Sequence, residues 1–192
     1  MIAQRIEAFS LSEAELAIFE RGLRDGVLER EKKVDTTKID ALIQTLANER
    51  STARAQTEKT ESTAYLAKLA AEPGASTAPT GYVVRTLTEG TGASPKATDT
   101  VVVHYHGTLR DGTVFDSSVD RGTPAEFPLG GVIPCWTQAL QTMKVGGKYK
   151  LACPSDIAYG DGGQPPTIPP GATLVFEVEL LAIQDKAAAA RA

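Results

Sequence analysis

Val132-Ile133-Pro134-Cys135-Trp136-Thr137-Gln138-Ala139-Leu140-Gln141 carries the chain's only tryptophan at the start of a short helical pattern. Aromatic-bearing strand patterns lie before it. After it comes the loop D-I-A-Y-G-D-G-G-Q-P-P-T-I-P-P-G, residues 156–171. A tryptophan between such segments reads as the floor of an apolar pocket, with most of the C-terminal half as its walls. A loop that long and irregular is of the kind that lines a site.

Outward from that stretch, the hydrophobic period is that of strands. Tyr82–Leu87 is the first. In Thr100–Leu109, Val101, Val103 and Tyr105 fall on one face and Val102, His104 and His106 on the other. Asp111-Gly112 is a hairpin turn signal, and Thr113–Asp116 continues as strand. Glu126–Leu129 is a short strand, and Lys148–Cys153 alternates after the Gly146-Gly147 turn. Ala172–Ile183 places Leu174, Phe176, Val178 and Leu180 on one side and Val175, Glu177 and Glu179 on the other. Such alternation predicts an antiparallel sheet with one solvated face. The helix around Trp136 is the only helical pattern in this half and must cover the other face. The fold class is therefore α+β, a bent antiparallel sheet wrapped on one short helix with a cavity between them.

The first third has a helical period. Ser12 and Glu15 form a capping box ahead of Leu16, Phe19, Leu23 and Val27, a stripe at spacings of three and four. Ile2, Ile6 and Phe9 suggest a shorter helix before it. Gly22 and Gly26 are either sites of close backbone approach or tolerated small residues. A second helix starts around Asp35–Thr37, with Ile39, Leu42, Ile43 and Leu46 as its stripe. Asn48–Thr63 then holds only Ala53 and Ala55 as apolar residues, before Tyr65, Leu66 and Leu69 restore the pattern and Pro73-Gly74 ends it. An unbroken helix over 37–71 would be about 50 Å long. A helix polar all round in its middle is expected to bridge solvent between two packed ends. The stripes at 11–46 have too little chain around them to bury themselves, which predicts a homodimer through residues 1–46. The expected organisation is a helical dimerisation region over 1–34, a long connecting helix over 35–72 and a Pro/Gly/Ser/Thr linker over 73–81. A sheet domain over 82–185 and a tail over 186–192 follow.

The composition of these 192 residues narrows the function. A net charge of −4 and the lack of a basic tract argue against nucleic acid as partner. No apolar run approaches the ~20 residues of a membrane helix. Met1–Phe9 carries Gln4, Arg5 and Glu7 where a signal peptide needs an apolar core, which fits a cytoplasmic protein or a trimmed form numbered from an added Met. Cys135 and Cys153 are too few for a zinc site. Two free, buried thiols are expected, with a disulfide as the alternative in an oxidising compartment. No G-x-S-x-G occurs, the phosphate-loop pattern fails around Gly146-Gly147-Lys148, and Cys135 has no evident base. His104 and His106 are expected as exposed strand histidines rather than a metal pair. What remains as a set is aromatic and aliphatic: Tyr105, Phe115, Phe127, Val132, Ile133, Trp136, Tyr159, Ile168 and Phe176.

With these residues in hand, the C-terminal half resembles the FKBP-type peptidyl-prolyl cis-trans isomerases. V-V-H-Y-H-G-T-L-R-D-G-T-V-F-D-S-S, V-I-P-C-W-T-Q-A-L, D-I-A-Y-G and I-P-P-G-A-T-L-V-F-E-V-E-L-L carry the resemblance, across about residues 82–183. The helical third is similar to that of the dimeric bacterial members typified by the macrophage infectivity potentiator. The resemblance implies catalysis of X-Pro rotation without metal or cofactor, in the service of protein folding; a non-catalytic prolyl-peptide-binding chaperone is the alternative. It implies that Asp116, Tyr159 and Ile133 act on the peptide. Tyr105, Phe115, Arg121, Phe127, Val132, Trp136, Ile168 and Phe176 would form the substrate pocket. Expected partners are prolyl peptides, folding proteins and macrolides of the FK506 and rapamycin type. The expected location is a bacterial periplasm or cell envelope if a signal peptide has been removed, and otherwise the cytoplasm. The chain departs from the family pattern at Cys135, usually glycine, and at Ala125, often aromatic, which would leave one wall more open.

Overall fold

The computed structural model describes residues 6, 9–30 and 39–184. The start of the second helix at 35–37, the tail over 186–192 and Ile2 of the short first helix lie outside them. The chain divides into two compact units, Met1–Arg54 and Ala55–Ala192.

In the first unit, α1 (Glu13–Val27) begins at the capping box read from the sequence. The Glu15 N–H donates to Ser12 Oγ at 3.4 Å and the Ser12 N–H donates to Glu15 Oε2 at 2.8 Å, satisfying two donors that a helix start leaves free. Arg50, from the first half of α2 (Ile39–Ala70), pairs with Glu15 at 2.5 Å. No residue of α1 is buried, and Leu16, Leu23 and Val27 of its stripe stand exposed. Adding a Cβ at Gly22 or Gly26 would meet nothing within 4 Å.

In the second unit, seven strands form one antiparallel sheet: β1 (Ala75–Thr77), β2 (Val83–Thr88), β3 (Thr100–Leu109), β4 (Val114–Ser117), β5 (Ala125–Pro128), β6 (Lys148–Cys153) and β7 (Leu174–Gln184). Their order is β1-β2-β6-β7-β3-β4, with β5 also paired to β3. β3 and β7 pair from Thr100↔Gln184 to Leu109↔Leu174. Their alternation turns Val101, Val103, Tyr105, Phe176, Val178 and Leu180 into a single core with α3 (Pro134–Leu140). Each fully buried aliphatic there contributes on the order of 2 kcal/mol.

Three expectations need correction. The outer face of the sheet is not simply solvated. Leu69 of α2 is buried there with Val83, Ala152 and Val175, flanked by Tyr65 and Leu66. The middle of α2 is not a bridge through solvent over its whole length either. Ala55, Ser62 and Leu69, seven apart on one face, are all buried. Two of these are small, which lets the helix backbone approach the sheet domain closely; Ser62 Oγ bonds Thr173 Oγ1. The signal is invisible to a search for large apolar residues. Finally, the segment expected as a linker contains β1, registered on β2 from Ala75↔Arg85 to Thr77↔Val83. Its Ser/Thr composition suits a short edge strand as well as a free linker.

The cysteines are also corrected. Cys135 and Cys153 are not free thiols but form a disulfide, with Cα atoms 5.9 Å apart. It ties the first turn of α3 to the last residue of β6, directly beside Trp136.

Candidate active site

Six segments converge on one cleft of about 510 Å³, the loop at Tyr159 among them. β3 supplies Tyr105 on its inward face, β4 Phe115 and Asp116, β5 Phe127, and β7 Phe176. Gly131 and Val132 precede α3, Ile133 is its N-cap, and Pro134 stands at its first position, where a missing N–H costs nothing. The Thr137 hydroxyl donates to Leu129 O at 2.7 Å and fixes the helix to the turn before it.

Trp136 is the floor. Its ring meets Phe176 at 5.1 Å and Tyr105 and Phe127 at 5.5 Å each, all near edge-to-face. Phe115 meets Phe176 edge-on at 5.5 Å. These are the arrangements that ring quadrupoles favour. Gly107 makes room for the wall: a Cβ there would stand 2.7 Å from Phe115 Cζ. The Trp136 indole N–H is buried without an acceptor among the described residues.

One polar cluster borders this apolar surface. The Tyr105 hydroxyl and Arg121 Nη1 each donate to Asp116, and Arg121 Nη2 donates to the Tyr105 oxygen at 3.0 Å. The guanidinium carbon lies 5.7 Å from the Tyr105 ring centre. Burial pushes the Asp116 carboxyl up, but the Tyr105 hydroxyl and Arg121 outweigh it and hold it below its ordinary value. Burial, then the Asp116 carboxylate, raises the Tyr105 phenol. The site therefore presents a carboxylate with a fixed direction at neutral pH.

The structure places Tyr105, Phe115, Asp116, Phe127, Val132, Ile133, Trp136, Tyr159 and Phe176 around the cleft. Arg121 does not line it and reaches it through Asp116 and Tyr105. Ile168 is buried in the core, where its carbonyl accepts from the Gln164 N–H at 2.8 Å. Gly131 lines the cleft and was missed; its signal was the glycine pair immediately before Val132. His104 and His106 are half-buried rather than exposed, bonded to Ser118 Oγ at 3.2 Å and Ser117 Oγ at 3.0 Å.

Residues 92–181 match the model of the FKBP-type peptidyl-prolyl cis-trans isomerase, and residues 1–84 that of the domain amino terminal to FKBP-type peptidyl-prolyl isomerase. FkpA of Aeromonas hydrophila, a protein named as an FKBP-type peptidyl-prolyl cis-trans isomerase, is 47% identical over 88% of this chain and 65% of its own length. The outer membrane protein MIP of Legionella longbeachae is 40% identical over 70% of this chain and 58% of its own. The chain thus spans about three fifths of the length of these curated relatives. The crystal structure of FkpA from Escherichia coli superposes with a TM-score of 0.77 at 37% identity, covering 94% of this chain and 86% of that one. That match runs through helical and sheet halves alike, and it makes the chain a member of the FKBP-type peptidyl-prolyl cis-trans isomerase family.

Proposed function

We propose that this chain catalyses cis-trans rotation about X-Pro bonds by non-covalent stabilisation of the twisted amide. The supporting observation is the aromatic cleft over Trp136 with a single oriented carboxylate at its edge. Amide resonance sets a barrier of about 18–20 kcal/mol. The twisted form has lost that resonance, and its carbonyl is less dipolar. It therefore loses less than the planar forms when water is removed. Tyr105, Phe127, Trp136 and Phe176 would take the prolyl ring, with Phe115 and Val132 completing the walls. Asp116, held charged by the Tyr105 hydroxyl and Arg121, would meet the carbonyl region. The Ile133 N–H and the Tyr159 hydroxyl would hold the peptide backbone. Binding the twisted form better than either planar form accelerates rotation tenfold per ~1.4 kcal/mol.

A protease-free assay of X-Pro isomerisation tests this. The intact chain should exceed the uncatalysed rate, and Asp116→Ala and Tyr159→Ala should each lose about ten- to a hundredfold in kcat/KM, the worth of one oriented polar contact. Peptide binding with no rate enhancement would replace the enzyme by a chaperone that only grips prolyl segments. Macrolides of the FK506 type should compete for the same cleft.

The reading extends to assembly and compartment. The exposed stripe of Leu16, Leu23 and Val27, together with exposed Leu42 and Ile43, favours a homodimer through residues 1–46. Light scattering should give twice the chain mass for the full protein and one chain mass for a version starting at Ala55, which keeps the whole second unit. Monomers in both would remove that role from the helices. The disulfide favours an oxidising compartment such as a periplasm or cell envelope. Among the described residues, no helix is long and apolar enough to cross a membrane.

A further inference from the structure

Tyr159 is 40% exposed, and its hydroxyl makes no hydrogen bond among the described residues. Its position in the cleft is therefore set by the backbone that carries it. That backbone is two short 3₁₀ turns, Ser155–Ile157 and Gly160–Gly162, with Tyr159 at their junction. Turns of three residues do not hold themselves.

Two contacts from α2 hold them. Lys59 Nζ lies 3.3 Å from Asp156 Oδ1 and 2.6 Å from Asp161 Oδ1, one carboxylate in each turn, three residues before Tyr159 and two after it. Below them, the Gly171 N–H donates to Gly160 O at 3.2 Å. Gly171 in turn lies against the helix, where an added Cβ would stand 2.7 Å from Ala55 O. The residue after Tyr159 is thus backed by the helix backbone, and the loop's outer edge is pinned by one ammonium.

We infer that Lys59 is a positioning residue for the isomerase site, acting through Asp156 and Asp161 on Tyr159. This rests on the role given to Tyr159 in the proposed function. The magnitudes separate this role from a merely structural one. Asp156 and Asp161 are 76% and 67% exposed, and ion pairs this open add little to global stability. The effect of losing Lys59 should therefore appear at Tyr159 and barely in the melting temperature.

The test is a double-mutant cycle on the full chain, with Lys59→Ala, Tyr159→Phe and the pair. Affinity for a proline-bearing peptide is read from the emission of Trp136, and the isomerisation rate is read in parallel. Lys59→Ala should weaken affinity and kcat/KM about fivefold in the native background and by much less in the Tyr159→Phe background, since partners in one network do not add. Lys59→Arg should restore most of the loss, and the melting temperature should move by no more than about 2 °C. An unchanged affinity in Lys59→Ala, or an equal loss in both backgrounds, overturns the inference. A native chain that binds the peptide without accelerating rotation overturns the catalytic reading alone, because the affinity cycle still reports whether Lys59 acts through Tyr159.

Discussion

Trp136→Ala should lower the melting temperature by about 10 °C and abolish measurable affinity for prolyl peptides. The side chain is 4% exposed and packs against Tyr105, Phe127 and Phe176 at once. Deleting a buried tryptophan costs about 3–5 kcal/mol when its surroundings cannot collapse. Here they cannot easily collapse, because each neighbouring ring is carried by a different strand of one sheet. At roughly 2–4 °C per kcal/mol for a chain of this size, the shift follows. Leu140→Ala is the control. It lies in the same helix, fully buried, and does not line the cleft. It should cost a comparable 2–5 kcal/mol and leave peptide affinity within about twofold. Thermal melts and peptide titrations of the two variants, made below both melting points, separate floor from core. Retained affinity in Trp136→Ala would remove the tryptophan from the binding surface.

The cleft was legible because its parts are large and periodic. Val101, Val103 and Tyr105 alternate without interruption along β3, so the inward placement of Tyr105 follows from strand geometry alone. Trp136 was conspicuous as a single residue beside Pro134. Arg121 was harder to place. Its sequence position in a turn does not say that its guanidinium serves two residues from two strands. The packed end at Tyr65, Leu66 and Leu69 was legible, but the middle of α2 was misjudged for a clear physical reason. Helix periodicity is read from large apolar side chains, and the buried residues there are Ala55 and Ser62. Close packing by small residues leaves only a weak trace in one sequence, because its partner, Gly171, lies more than a hundred positions away. The disulfide was ranked behind two free thiols for a related reason. Cysteine count bounds pairing but not distance, and only the fold brings the start of α3 against the end of β6.

Removing that disulfide should cost about 3 kcal/mol, the chain-entropy value for a closed loop of this length. Cys135→Ala with Cys153→Ala should therefore melt about 6–12 °C below the native chain. Both sulfurs are fully buried, so a reductant should act on the native protein only as fast as the α3–β6 contact opens. The single tryptophan reports on the event. An adjacent disulfide quenches indole emission, so Trp136 should brighten on reduction or in the double variant, before any loss of sheet signal. The position also bears on the site. The bond fixes the first turn of α3, which carries Ile133 and Trp136, to the strand paired with β7 and its Phe176. Two walls of the cleft are thus referenced to each other covalently as well as by packing. The double variant should accordingly lose several-fold in peptide affinity at temperatures where it is still fully folded. An unchanged melting temperature would mean that packing alone holds the helix start in place. A lowered melting temperature with unchanged affinity would confine the bond to the stability of the core.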